Sequence, residues 1–160
     1  MAGADTSLAI RVRDPESVVL RAFQGLSWFP IDARWRSVGT FRPFPQPRPV
    51  PILNIRGDPE PFTSPGEVEV TIDNTPVRLL AVSAGKQLQF IFNDRGAGRD
   101  TYGIRFLYAD LPDAQGRVVL DFNRAYNPPC AHNPYTTCPV PPPQNRLPMR
   151  VLAGERLPKS

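Results

Sequence analysis

Cys130, His132 and Cys138 are the soft metal ligands of this chain, and they lie within one short stretch. Three such side chains suffice for a catalytic zinc site that keeps water as its fourth ligand. The stretch lacks the paired short cysteine spacing of a strong zinc signature, so these three are weak metal candidates, set beside free thiols, a disulfide and a redox pair. Cys130 with His132 as base and Asp121 as orienting group also has the composition of a thiol nucleophile, although the spacing does not mark either residue as activated. A second group is Asn93-Asp94, then Asp100-Thr101-Tyr102-Gly103 and Arg105. Gly96 and Gly98 between them would let a ligand approach backbone N–H groups. The Lys and Ser/Thr of a phosphate loop are missing, and a glycine-rich hairpin with an Asp94 turn bond explains the same residues.

A third grouping joins the two loops. After Asp121 no acidic residue occurs until Glu155, whereas Arg124, Arg146 and Arg150 fall inside that interval. Tyr102, Arg105, Arg124, Tyr126, Asn127, Asn145 and Arg146 together would make a wall rich in donors and poor in carboxylates. Guanidinium forks match carboxylate and phosphate groups, so the implied ligand is an anionic small molecule. The same arginines and asparagines would equally serve to satisfy the backbone of an irregular loop. Arg124 follows the apolar run Val118–Phe122, and the end of a strand there would aim it into the mouth of a barrel.

These side chains must be positioned by elements that the periodicity identifies. Val68, Val70 and Ile72 alternate with Glu67, Glu69, Thr71 and Asp73, which predicts a half-buried strand. Asn74-Thr75 turns the chain into Val77–Ser83, and Gly85-Lys86 turns it into Leu88–Asn93. Further strands are predicted at Arg36–Arg42, Val50–Arg56, Thr101–Tyr108, Arg117–Phe122 and Leu147–Ala153. One helix is expected, capped by Asp14, with Pro15 at its first position and Gly25 closing it; Val19, Phe23 and Leu26 share its face. Prolines number 21 and gather at 43–65 and 128–148, which predicts irregular, extended segments there. Such a set makes a mainly β protein: a small antiparallel, partly open β-barrel or a sandwich, with one N-terminal helix and a long Pro-rich C-terminal loop. Phe122, Tyr126, Tyr135 and Val140 are expected to anchor that loop to the barrel.

Composition narrows the function classes. The chain of 160 residues is a single domain by length, and 41% hydrophobic with 21% charged residues is ordinary for a globular protein. The net charge of +4 is carried by dispersed arginines, all but Lys86 and Lys159 of the 19 basic residues. They form no basic run and no nucleic-acid motif, so no nucleic-acid partner is expected. No apolar stretch has the length of a membrane span, and MAGADTSLAIRVRD lacks the apolar core of a leader. The expected location is the cytoplasm.

The stretch DFNRAYNPPCAHNPYTTCPVPPPQNRLP, followed by RVLAGE, resembles the signature of domain-of-unknown-function family 1684, found in bacteria and archaea. FQGLSWFPIDARWR at Phe23–Arg36, FNDRGAGRDTYGIRFL at Phe92–Leu107 and VVLDFNR at Val118–Arg124 fit the same pattern, so the resemblance spans about Arg21 to Glu155. Two positions depart from it: relatives tend to carry an aromatic at His132, and Gly-Arg where this chain has Ile104-Arg105. The resemblance therefore implies that a histidine at 132 is not required by the family, and it supplies no activity, cofactor or oligomeric state. The alternatives to an anion-binding protein are an enzyme using a flavin-type, phosphate-bearing cofactor, which rests on fold analogy, and a non-catalytic structural or interaction domain.

Overall fold

The computed structural model describes residues 12–159; most of the stretch MAGADTSLAIRVRD discussed above lies outside them. Six antiparallel strands form a single sheet: β1 Arg36–Leu53, β2 Pro59–Ile72, β3 Thr75–Ala84, β4 Gln87–Phe92, β5 Arg105–Asp110 and β6 Arg117–Asp121. Their order is β5-β4-β3-β2-β1-β6. The sheet curls until β5 and β6 face one another without a ladder, giving a nearly closed barrel with one seam. The predicted mainly β, partly open antiparallel barrel is the observed architecture.

Alternation explains the interior. Val68, Val70 and Ile72 turn inward from β2 and meet Leu79 and Ala81 of β3, Leu88, Phe90 and Phe92 of β4, and Val118 and Leu120 of β6. Asp73 and Asn74 both have positive φ, 45° and 60°, as a two-residue turn that matches hairpin twist requires. The turn is thus one residue earlier than Asn74-Thr75. Gly39 is forced by close packing: a Cβ there would lie 2.8 Å from the Glu69 carbonyl oxygen across the β1–β2 pair.

Three expectations are corrected. Proline does not break the first segment. Arg36–Arg42 and the Val50–Leu53 part of Val50–Arg56 belong to one long β1, whose register shifts between Pro43 and Arg48. The Leu53 carbonyl accepts from the Val140 N–H, on the side away from β2. Pro51 and Pro49, two and four residues earlier, turn their missing N–H to that same side, so the ladder with β2 loses nothing. They also blunt an edge that would otherwise template pairing.

The predicted helix is a single turn, Val18–Arg21, with no buried residue. Phe23 and Leu26 are about half exposed. A helix without a surface to bury its face has only local propensity behind it, which does not sustain a short helix. Finally, Leu147–Ala153 forms no strand. Its alternation is real, with Leu147, Val151 and Ala153 buried, but its backbone bonds go to a loop and to buried side chains.

Candidate functional site

Those side chains are Asp94 and Arg105. The Arg105 guanidinium donates to Asp94 Oδ2 at 3.2 Å, to the Val151 carbonyl at 3.3 Å and to the Ala153 carbonyl. Asp94 also accepts from Thr101 Oγ1 at 3.0 Å and from the backbone N–H groups of Gly96 and Val151. Both ion-pair side chains are fully buried. Burial pulls the Arg105 pKa down, opposed by the charges of Asp94 and Glu155. The Asp94 and Arg105 of the second sequence grouping are therefore brought together, but as the internal tie between β5 and the C-terminal segment.

The 121–146 run accounts for its backbone piece by piece, as a buried loop must. Asp121 caps the 3-10 turn Phe122–Arg124 by accepting from the Asn123 N–H. Tyr126 exchanges both backbone bonds with Phe106, extending the β5 edge. Asn127 donates its N–H to Glu155 Oε2 at 2.8 Å and its amide to the Arg156 carbonyl. Asn145 acts as a side-chain peptide group where β3 and β4 diverge: its Oδ1 accepts from the Leu80 N–H, and its Nδ2 donates to the Leu80 and Ile91 carbonyls. Phe122 is buried and Tyr126 and Val140 partly so, as anchors should be. Tyr135 is 83% exposed and anchors nothing among the described residues.

The cysteine–histidine trio is split. His132 Nε2 lies 3.1 Å from Glu155 Oε1, with Phe23 packed edge-on against the ring at 5.8 Å. Cys130 and Cys138 lie together instead, the Cys130 N–H donating to Cys138 Sγ at 3.4 Å. No group of three His, Cys, Asp or Glu side chains is arranged to hold a metal among the described residues. Tyr102 belongs to the thiol pair, its hydroxyl donating to the Cys130 carbonyl at 3.3 Å. Burial, then the neighbouring Cys130, pushes the Tyr102 hydroxyl up to about 12. The Cys138 thiol is pushed up to about 12 for the same two reasons. Asp121, the suggested orienting group for a Cys130–His132 pair, is spent on its cap and on the Asn123 amide.

Arg124 lies elsewhere, at the seam. A groove of about 420 Å³ runs between the outer face of β1 and β6 and the open edge of β5, with Val38, Val119, Ala109 and Leu111 among its apolar lining. Arg36, Arg117 and Arg124 border it, with Asp110, Asp113 and Asp121. Arg117 is engaged by Asp113 at 2.7 Å. Arg36 and Arg124 make no ion pair among the described residues. Tyr108, also lining the groove, stacks on Tyr126 with ring centroids 6.2 Å apart. Burial and the Tyr108 phenol raise the Tyr126 hydroxyl to about 12. A wider, shallower hollow of about 680 Å³ lies over β1–β3, where Arg78 is already paired with Glu69.

Of the seven residues grouped as an anion-binding wall, the structure brings Arg124 alone to the groove lining, with Tyr126 reaching it only through its stack on Tyr108. Arg105, Asn127 and Asn145 are buried in internal ties, Tyr102 is with the thiols, and Arg146 is exposed beside Asn93 at the end of β4. Arg36 and Tyr108 were absent from that grouping. Only the strand order, which sets β1 beside β6, brings Arg36 to the groove.

No helix among the described residues is long and apolar enough to cross a membrane. No curated protein matches the chain. It is similar to an uncharacterised protein of Haloarcula marismortui solved by solution NMR, with 30% identity and a TM-score of 0.69 over 89% of this chain and 80% of that one. The family model described as a protein of unknown function, DUF1684, matches residues 21–156. The chain belongs to that family.

Proposed function

We propose that this protein binds a small molecule carrying one phosphate or carboxylate group on an apolar body, in the seam groove between β5 and β6. The observation that carries this reading is that Arg36 and Arg124 border the groove without a carboxylate partner among the described residues, while Arg117 beside them is paired. A guanidinium that is not neutralised internally keeps its fork for a ligand. The volume falls within the few hundred Å³ typical of small-molecule sites. Val38, Val119 and Leu111 offer apolar contact, and Tyr108, braced by its stack on Tyr126, offers an aromatic one. Asp110, Asp113 and Asp121 bring the groove's formal charge to balance, so the fitting ligand has a single anionic group; a second would meet carboxylates.

Thermal shift across a panel of aromatic or aliphatic metabolites bearing one, two or no phosphate or carboxylate groups tests this. Stabilisation of the wild type by members with one anionic group, lost in Arg124→Ala, is the expected result. A wild type unmoved by every member of the panel contradicts it.

A further inference from the structure

The seam groove leaves the two cysteines unused, and their placement points to chemistry of its own. Cys130 and Cys138 both belong to a small apolar cluster with Ile52, Val82, Ile91, Ile104 and Phe106. Both are free thiols, Cys138 buried and Cys130 partly accessible. Each end of the intervening loop is pinned separately. The Cys130 end lies in the 3-10 turn Pro129–Ala131, closed by Ala131 and His132 N–H bonds to Pro128 and Pro129. The Cys138 end is tied to the turn just after β1 by the Ile55 N–H donating to its carbonyl. Tyr102 holds Cys130 from a third side, its hydroxyl 3.9 Å from the sulfur. Pinned ends keep the Cys138 sulfur against Cys130, whose N–H meets it at 3.4 Å, and close approach of the two residues is the first geometric demand of disulfide formation. Two buried small hydrophobes would fill the same space, but only a thiol pair can be cross-linked.

We propose that Cys130 and Cys138 are a reversible thiol-oxidation site that closes to an intrachain disulfide by exchange with a low-molecular-weight disulfide. The more accessible Cys130 thiolate attacks one sulfur of the small disulfide, forming a mixed disulfide and expelling one small thiolate, which takes up a proton. Cys138 then attacks the Cys130 sulfur as its own proton leaves, the protein S–S bond forms, and the second small thiol departs. Two electrons pass from the protein thiols to the small disulfide, which is reduced to two thiols. Burial of Cys138 keeps it protonated until Cys130 carries the leaving group, so the order of attack is set by exposure.

The test equilibrates the full chain in glutathione buffers from fully reduced to fully oxidised, quenches by alkylation and maps the peptides by mass. The expected result is a Cys130–Cys138 cross-link in the wild type, with both cysteines protected from alkylation, no lasting glutathione adduct, and full reversal by dithiothreitol. Cys138→Ala should instead accumulate one glutathione on Cys130. If both wild-type thiols remain open to alkylation throughout, or if wild-type Cys130 holds a stable glutathione, the proposal is overturned. The wild-type map decides the matter even where Cys138→Ala fails to fold.

Discussion

Asp94 Oδ2 lies 3.2 Å from Arg105 Nη1, and neither side chain reaches solvent. This pair does the work of a missing strand: Arg105 holds the Val151 and Ala153 carbonyls, and Asp94 holds the Val151 N–H. Removing one charge strands the other in a desolvated site. Asp94→Asn should therefore cost about 3–5 kcal/mol of stability, measured by urea unfolding. The double variant Asp94→Asn with Arg105→Met should lose less than the sum of the single variants, because the two charges share one interaction.

Asn145 replaces a stretch of ladder between β3 and β4 with one side-chain amide. Asn145→Leu keeps the branched shape but abandons the Leu80 N–H and the Leu80 and Ile91 carbonyls, all in the interior. A loss of about 2–4 kcal/mol is expected, as buried backbone groups lose their partners. Amide exchange at Leu80 should accelerate in the same variant.

Alkali should weaken the fold through groups held neutral by burial. Tyr102 and Tyr126 ionise near 10.0 when unfolded and near 12 when folded, and Cys138 near 9.0 and 12. The folded state thus holds protons that the unfolded state releases, so this stability is present below the unfolded values and lost as pH rises through the folded ones. Melting temperature should fall between about pH 9 and 12. Tyr126→Phe should flatten that decline while preserving the Tyr108 stack, and tyrosinate absorbance in the wild type should rise together with unfolding.

Gly154 adopts φ +72° with the Phe122 and Ala125 carbonyl oxygens where a side chain would go, the former 2.8 Å from an ideal Cβ. Gly154→Ala combines a left-handed backbone with a steric collision. Its cost should exceed about 1 kcal/mol, the usual effect of incompatible glycine replacement, and should appear as a lower urea midpoint at unchanged slope.

The strands with a partner on one face were legible. Val68, Val70 and Ile72 alternate because one side of β2 meets the core and the other meets water, and that contrast is written into residue type. Leu147–Ala153 shows the same contrast for a different reason: its apolar residues are buried while its hydrogen bonds go to Asp94 and Arg105, and periodicity reports burial, not pairing. The prolines of β1 misled because proline identity does not say which edge its missing N–H faces. The candidate groove was half legible. Arg124 could be placed at a strand end from the Val118–Phe122 run, whereas Arg36 lies 88 positions away in sequence, and only the β1–β6 pairing that aligns Arg36 with Asp121 brings it near. Arg105 looked like a ligand-facing residue since its counter-charge, Asp94, is recognisable as such only once the barrel is closed.

The central claim is that Arg124 meets an anion at the seam, and calorimetric titration of wild type against Arg124→Lys, with whichever singly phosphorylated or carboxylated compound most stabilises the wild type, tests it most directly. Lysine keeps the charge and loses the two-pronged fork. Affinity should fall by about 1.5–3 kcal/mol, the range of charge-assisted hydrogen bonds, while the melting temperature of the unliganded variant stays at the wild-type value. Equal affinity in the two proteins, or a variant that loses stability without any ligand dependence, would mean that Arg124 is a surface brace and that the groove binds no anion through it.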